Sequence, residues 1–123
     1  MPAKDVAKLV TESINVTATA AGASAQLLYQ CPTNFSAVVT FLSISSGSTA
    51  NKDISIQFYH QEKTAYKYVL RTYRMGSNSA YVFISVNSLS LHQGDKLVCF
   101  TDSTGNFDVT LSVEEYFDPV RKL

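Results

Sequence analysis

Phe107-Asp108-Val109-Thr110-Leu111-Ser112-Val113-Glu114 alternates apolar and polar side chains along its whole length. Successive strand residues point to opposite faces of a sheet, so this period of two describes a half-buried β-strand with Phe107, Val109, Leu111 and Val113 on one side. Asp53-Ile54-Ser55-Ile56-Gln57-Phe58-Tyr59-His60 repeats the pattern, with Ile54, Ile56 and Phe58 sharing a face. Working outward, strand-length runs appear at 13–19, 25–31, 36–45, 53–61, 65–75, 81–86, 96–101 and 107–116, divided by turn residues. Pro32 closes the second run, because proline cannot donate to a sheet ladder. His92-Gln93-Gly94-Asp95 reads as a tight turn in which Gly94 takes positive φ. Asp102-Ser103-Thr104-Gly105-Asn106 joins the last two strands as a hairpin loop.

About eight strands at regular spacing, with no helical pattern between them, predict an all-β, antiparallel β-sandwich of jelly-roll type. One domain is expected, since 123 residues can pack two sheets around one core but not two. The boundaries read as an N-terminal arm or short helix over 1–12, the sandwich over 13–117 and a C-terminal tail over 118–123. Val6, Leu9 and Val10 stand at rough helical spacing in the arm, which is too short to hold a helix alone. Met1 to Lys8 carries charges where a signal peptide needs apolar residues, and no run of about 18 apolar residues occurs. The expectation is a chain made in the cytoplasm, with no membrane partner. Cys31 and Cys99 then read as small buried apolar residues rather than a disulfide.

Ten basic residues balance ten acidic ones, so no global field favours nucleic acid, and none is expected as a partner. Nucleophilic catalysis needs a base oriented by a carboxylate beside a nucleophile. His60 near Asp53 and His92 near Asp95 have no such nucleophile motif around them. Two Cys and two His scattered over the chain make no zinc cluster, and five separate glycines make no phosphate loop. Glu114-Glu115 point to opposite faces of a strand and read as a solvated strand end. Neither catalytic residues nor a cofactor or metal are expected, and the chain reads as a non-enzyme.

Charge, however, is segregated. Lys63, Lys67, Arg71 and Arg74 lie with Tyr66, Tyr68 and Tyr73 in one segment free of acids, while Asp95, Asp102, Asp108, Glu114, Glu115 and Asp118 share theirs with a single base, Lys96. Alternation from Ala65 places Lys67, Val69, Arg71 and Tyr73 on one face, the exposed one, and Tyr66, Tyr68 and Leu70 on the other. Ser36 to Ser45 has apolar residues on both faces, Val39 and Phe41 opposite Val38 and Leu42. Such a strand needs two coverings, the second being another subunit. The candidate interface residues are therefore Val39, Phe41, Lys67, Arg71, Tyr73, Arg74, Asp108 and Glu114. Complementary patches fit self-association, cross-strand pairing within one chain, or polymer binding by the aromatic and basic strand. In the last case Tyr59, Tyr66, Tyr68, Tyr73 and Tyr81 are candidate sugar platforms, although Trp is absent.

Leu28-Tyr29-Gln30-Cys31-Pro32-Thr33-Asn34-Phe35-Ser36-Ala37-Val38-Val39, continued by Leu42-Ser43-Ile44-Ser45-Ser46, resembles a module of tailed-phage virion proteins in which a Leu-Tyr-x-Val-Pro strand end precedes a turn and a strand. Leu91-His92-Gln93-Gly94-Asp95-Lys96-Leu97 is similar to that module's Leu-x-x-Gly-Asp-x-Ile turn, and Phe107 to Glu115 to its terminal strand. Cys31 stands where the module has an aliphatic residue. The resemblance spans roughly residues 25 to 116 and implies a β-sandwich virion component: a capsid decoration protein, a neck or tail piece, or a fibre-attachment domain. It implies a homo-oligomer whose other partners are virion proteins; the two-faced strand Ser36 to Ser45 adds the expectation of three-fold or other cyclic symmetry, and the tyrosines leave a carbohydrate- or receptor-binding module as the alternative.

Overall fold

The computed structural model describes residues 8–48, 50–84, 89–102 and 106–119. Among them nine strands form: β1 (Lys8–Val16), β2 (Gln26–Gln30), β3 (Phe35–Ser46), β4 (Lys52–His60), β5 (Ala65–Met75), β6 (Ala80–Ile84), β7 (Leu89–Leu91), β8 (Lys96–Thr101) and β9 (Phe107–Phe117). Sheet A has the order β1-β9-β3, with β6 and β7 sharing the far edge of β3, and sheet B has the order β2-β8-β4-β5. All the ladders are antiparallel. β5 pairs with β4, β6 and β7 with β3, β8 with β2 and β9 with β1, so the second half of the chain retraces the first in reverse. A long hairpin rolled in this way, with its rungs dealt alternately to two sheets, is a jelly roll. The all-β sandwich expected from the sequence is the observed fold.

The opening alternation carries through to packing. Phe107, Val109, Leu111 and Val113 are each 0 % exposed and meet Val39, Leu42 and Ile44 of sheet A and Leu28, Ile54, Ile56, Leu97 and Cys99 of sheet B in one core. The expected boundary at residue 13 moves. Lys8 to Val16 pairs residue by residue with Glu115 to Phe107, because Val10, Ile14 and Val16 match the period of β9. Leu9 and Val10 thus belong to a strand and not to a helix, while the remainder of the expected arm, residues 1–7, and most of the tail, residues 120–123, lie outside the described residues.

Alternation fails at bulges. In β3, Val39 stands opposite Val113 but Phe41 opposite Ser112, so one residue is inserted and the inward face shifts to Leu42 and Ile44. In β5, Ile54 faces Tyr73, Ile56 faces Leu70 and Gln57 faces Tyr68, which takes two insertions. Thr72 occupies the left-handed region at φ 50°, and its N–H donates to Ser55 Oγ at 2.8 Å. The irregularities of β5 fall on an edge strand, where they spoil the flat ladder that another chain could extend.

One polar pair spans the core. Glu115, expected at a solvated strand end, is only 6 % exposed, since its parity is that of Val113. The Tyr29 hydroxyl on β2 donates to its carboxylate, tying sheet B to sheet A. Removing the donor would strand a buried carboxylate. Tyr29→Phe is expected to cost about 1–3 kcal/mol in urea unfolding, and a Tyr29→Phe/Glu115→Met double variant less than that, because replacing both partners leaves no orphan.

Cys31 and Cys99 are free and buried. Burial pushes both thiols up to about 12, helped at Cys31 by the carboxylates of Glu115 and Asp95. Burial and the Glu115 hydrogen bond raise Tyr29 as well. For a raised acid the folded state prefers the proton, so its contribution is intact below the ordinary thiol value and is lost as pH climbs toward the folded value. Unfolding free energy should therefore decline from about pH 9 upward, and Cys31→Ala and Cys99→Ala should each flatten that decline in urea titrations compared across pH.

Candidate functional site

Each sheet has an outward face, and the two differ in chemistry. On sheet A, β1, β9 and β3 present Leu9, Thr11, Ser13 and Asn15 beside Glu114, Ser112, Thr110 and Asp108, then Val38, Phe41, Ser43 and Ser45. Hydroxyls face each other across the ladder, Thr11 to Ser112 at 3.5 Å and Ser13 to Thr110 at 3.4 Å. The charges on these three strands' outward side are the acids Asp108 and Glu114. Asp108 accepts from Asn15 Nδ2 at 2.9 Å, and Glu114 accepts from the Tyr116 hydroxyl at 2.7 Å.

On sheet B the outward side is aromatic and basic. Tyr59 and Tyr66 have ring centroids 4.7 Å apart, and Lys96 Nζ lies 5.1 Å from the Tyr59 ring centre. Tyr68 meets Phe100 edge-on at 6.4 Å, and the Arg71 guanidinium sits 4.0 Å over Tyr68. Such cation–ring contacts are worth about 0.5–1 kcal/mol at exposed sites and hold the cations against the rings. The β1–β2 connection folds back here. Ala18 O accepts from Thr101 N at 2.8 Å, and Gly22 N donates to Gln57 Oε1 at 2.9 Å, so Gln57 is buried although its side chain leaves the outward face. A β-carbon at Gly22, where φ is +71°, would meet the Tyr66 ring at 3.9 Å.

The residues singled out from the sequence separate accordingly. Lys67 and Arg71 are exposed on β5, and Asp108 is exposed on β9 in the other sheet. Arg74 is taken within the chain, its Nε 3.1 Å from Asp53 Oδ1. Tyr73 does not share a face with Arg71; Lys67, opposite Phe58, has the inward parity of Tyr73, opposite Ile54, and reaches solvent near the other end of the strand. The bulges turn Tyr73 onto the core, and its ring meets Tyr81 at 5.6 Å, closing the seam between β5 of sheet B and β6 of sheet A. Val39 is 0 % exposed and offers nothing to a partner, while Phe41 is half-buried on the outward side. Of the five tyrosines read as platforms, Tyr59, Tyr66 and Tyr68 share the sheet B face. Phe100 and Lys96 complete that face, and no sequence signal had joined them to it because they come from a distant strand. Among the described residues no group of three or more His, Cys, Asp or Glu could hold a metal ion.

No protein-family model and no characterised relative matches the chain. Among solved structures, a chain from work describing Bacillus endospore appendages as a novel family of disulfide-linked pili aligns over 96 % of both chains, with 14 % sequence identity and a TM-score of 0.45. An overlap that loose carries no argument about what this chain does.

Proposed function

We propose that the chain is a non-enzymatic structural subunit that assembles by seating the basic, aromatic face of sheet B on the acidic, hydroxyl-rich face of sheet A of the next copy. The carrying observation is that the cations of the outward aromatic face, Arg71 on β5 and Lys96 on β8, and the outward acids Asp108 and Glu114 on β9 lie in different sheets. Packed sheets stand about 10 Å apart, and side chains on their outward faces are further apart still, beyond a Debye length at 0.1 M salt. The two sets therefore cannot neutralise each other within one copy. A contact between two different faces is heterologous, and it closes into a ring or runs on as a filament according to its rotation. Exposed Leu9, at 66 %, and Val82, at 48 %, add apolar area on sheet A. The setting we assign is that of a tailed-phage virion component, as decoration, neck or tail protein, on the sequence resemblance described above.

Light scattering and electron microscopy of the purified chain across salt concentrations test the reading. Regular oligomers are expected at low salt, and Arg71→Glu should slow their formation there, with partial rescue by Asp108→Lys. Exposed pairs contribute only about 0.2–1 kcal/mol each, so the effect should appear in rate and salt dependence before it appears in folding. Monomers at every salt concentration would overturn the proposal.

A further inference from the structure

A buried carboxylate organises one end of the sandwich. Asp95 is 1 % exposed, and its two oxygens accept from different loops, Oδ1 from Gln61 N at 2.9 Å and Oδ2 from His92 N at 3.0 Å. Its own backbone completes the arrangement: Asp95 O accepts from Cys31 N at 2.9 Å, Asp95 N donates to His92 O at 3.0 Å, and Gly94 N donates to Cys31 O at 2.9 Å. The β4–β5 turn and the β7–β8 turn are thus fastened to the Asp95 side chain, and the end of β2 to the backbone of Gly94 and Asp95. A buried charge is tolerated only when its hydrogen bonds are made, so these three loops are fixed relative to one another.

The fastened loops border an open pocket of about 320 Å³ lined by Gln30, Thr33, Gln61, Gln93 and Gly94. This lies near the lower end of the range for ligand pockets, about 300–1,000 Å³. A β-carbon on Gly94, where φ is +85°, would come within 2.8 Å of Gln61 Cγ, so glycine is what lets Gln61 close against the turn. Gln93 Oε1 accepts from Asn34 N at 2.7 Å, which orients its amide and directs the N–H donors elsewhere. Three amides and a hydroxyl both donate and accept. None of the five lining residues carries a charge to hold a phosphate or carboxylate, and none brings an apolar side chain to hold a hydrocarbon.

Beside the pocket runs a row of cross-strand neighbours on sheet B. Gln30 stands opposite Lys96, Lys96 opposite Tyr59, and Tyr59 opposite Tyr66. Two strand spacings, about 10 Å, separate Gln30 from Tyr59, and Lys96 between them is engaged with the Tyr59 ring, its Nζ 5.1 Å from the ring centre, so an object that touches both the amides and the rings passes over that side chain. Sugar hydroxyls each donate and accept, and the C–H face of a pyranose packs on an aromatic ring.

We infer that the glutamine-lined pocket fastened by Asp95 is a binding site for a neutral saccharide, with Gln30, Gln61 and Gln93 bonding its hydroxyls and the Tyr59–Tyr66 pair flanking it. The inference does not rest on assembly, because the pocket is built within one copy. The test is amide and glutamine side-chain NMR on the ¹⁵N-labelled chain titrated with glucose, galactose, mannose and N-acetylglucosamine, with glucuronate as the charged control. Each is raised to about 50 mM, well above the ~1 mM dissociation constant that corresponds to about 4 kcal/mol. Saturable shifts confined to residues 30–33, 61, 93–94 and the Tyr59 row are expected with at least one neutral sugar. Gln30→Ala and Gln61→Ala, both at exposed positions that leave the Asp95 contacts in place, should weaken it about fivefold or more, for one lost hydrogen bond of ~1 kcal/mol. No saturable shift with any neutral sugar, unchanged affinity in both variants while the spectrum stays folded, or glucuronate binding as tightly as the best neutral sugar would each overturn the inference.

Discussion

The ladder between β3 and β9 is the constraint on which the rest of the molecule depends. It runs from Phe35 opposite Phe117 to Ser46 opposite Phe107 and joins the two longest strands of sheet A along their full length. β1 takes its register from the free side of β9, and β6 and β7 take theirs from the free side of β3. The inward residues of this pair, Val39, Leu42 and Ile44 with Val109, Leu111 and Val113, form the floor on which sheet B packs. A slip of one residue would exchange that floor for Ser43, Ser45, Thr110 and Ser112, and no sandwich could close over it.

Much of this was legible in the sequence because strand parity is a local property. β9 could be read without error from Phe107 to Val113, and reading two residues further would have put Glu115 into the core, where it is found. Legibility stopped wherever one inserted residue reversed parity. Thr40 in β3 and the double irregularity in β5 leave no signature in composition, so Val39 seemed to face a partner and Tyr73 seemed to lie beside Arg71. A bulge is set by how the opposite strand pairs, and that strand is far away in sequence.

The surface was harder to read for the same reason. Charge segregation between the two segments was visible as a list, but its meaning depended on which sheet each strand joined. Adjacent strands would have let Arg71 and Asp108 pair at home, whereas opposite sheets leave them on opposite faces. Likewise Gln30, Gln61 and Gln93 are unremarkable along the chain and become neighbours only because Asp95 draws three loops together. Asp95 itself read as an ordinary turn residue, and its burial follows from the roll that carries the β7–β8 turn beneath the end of β2.

The rolled connectivity also governs when the molecule can form. Thr11 and Ser112, partners across β1 and β9, are separated by 101 positions, so a chain emerging from the ribosome carries its first strand, and later β3, without the β9 strand that holds both in sheet A. Closing such distant contacts is slow, and until it happens the apolar faces of β3 and β4 are exposed to one another and to neighbouring nascent chains. Sheet A therefore matures only after β9 has been synthesised. Until then Asp108 and Glu114 have no sheet to stand on, so the outward face of sheet A forms after that of sheet B, whose strands all precede β9.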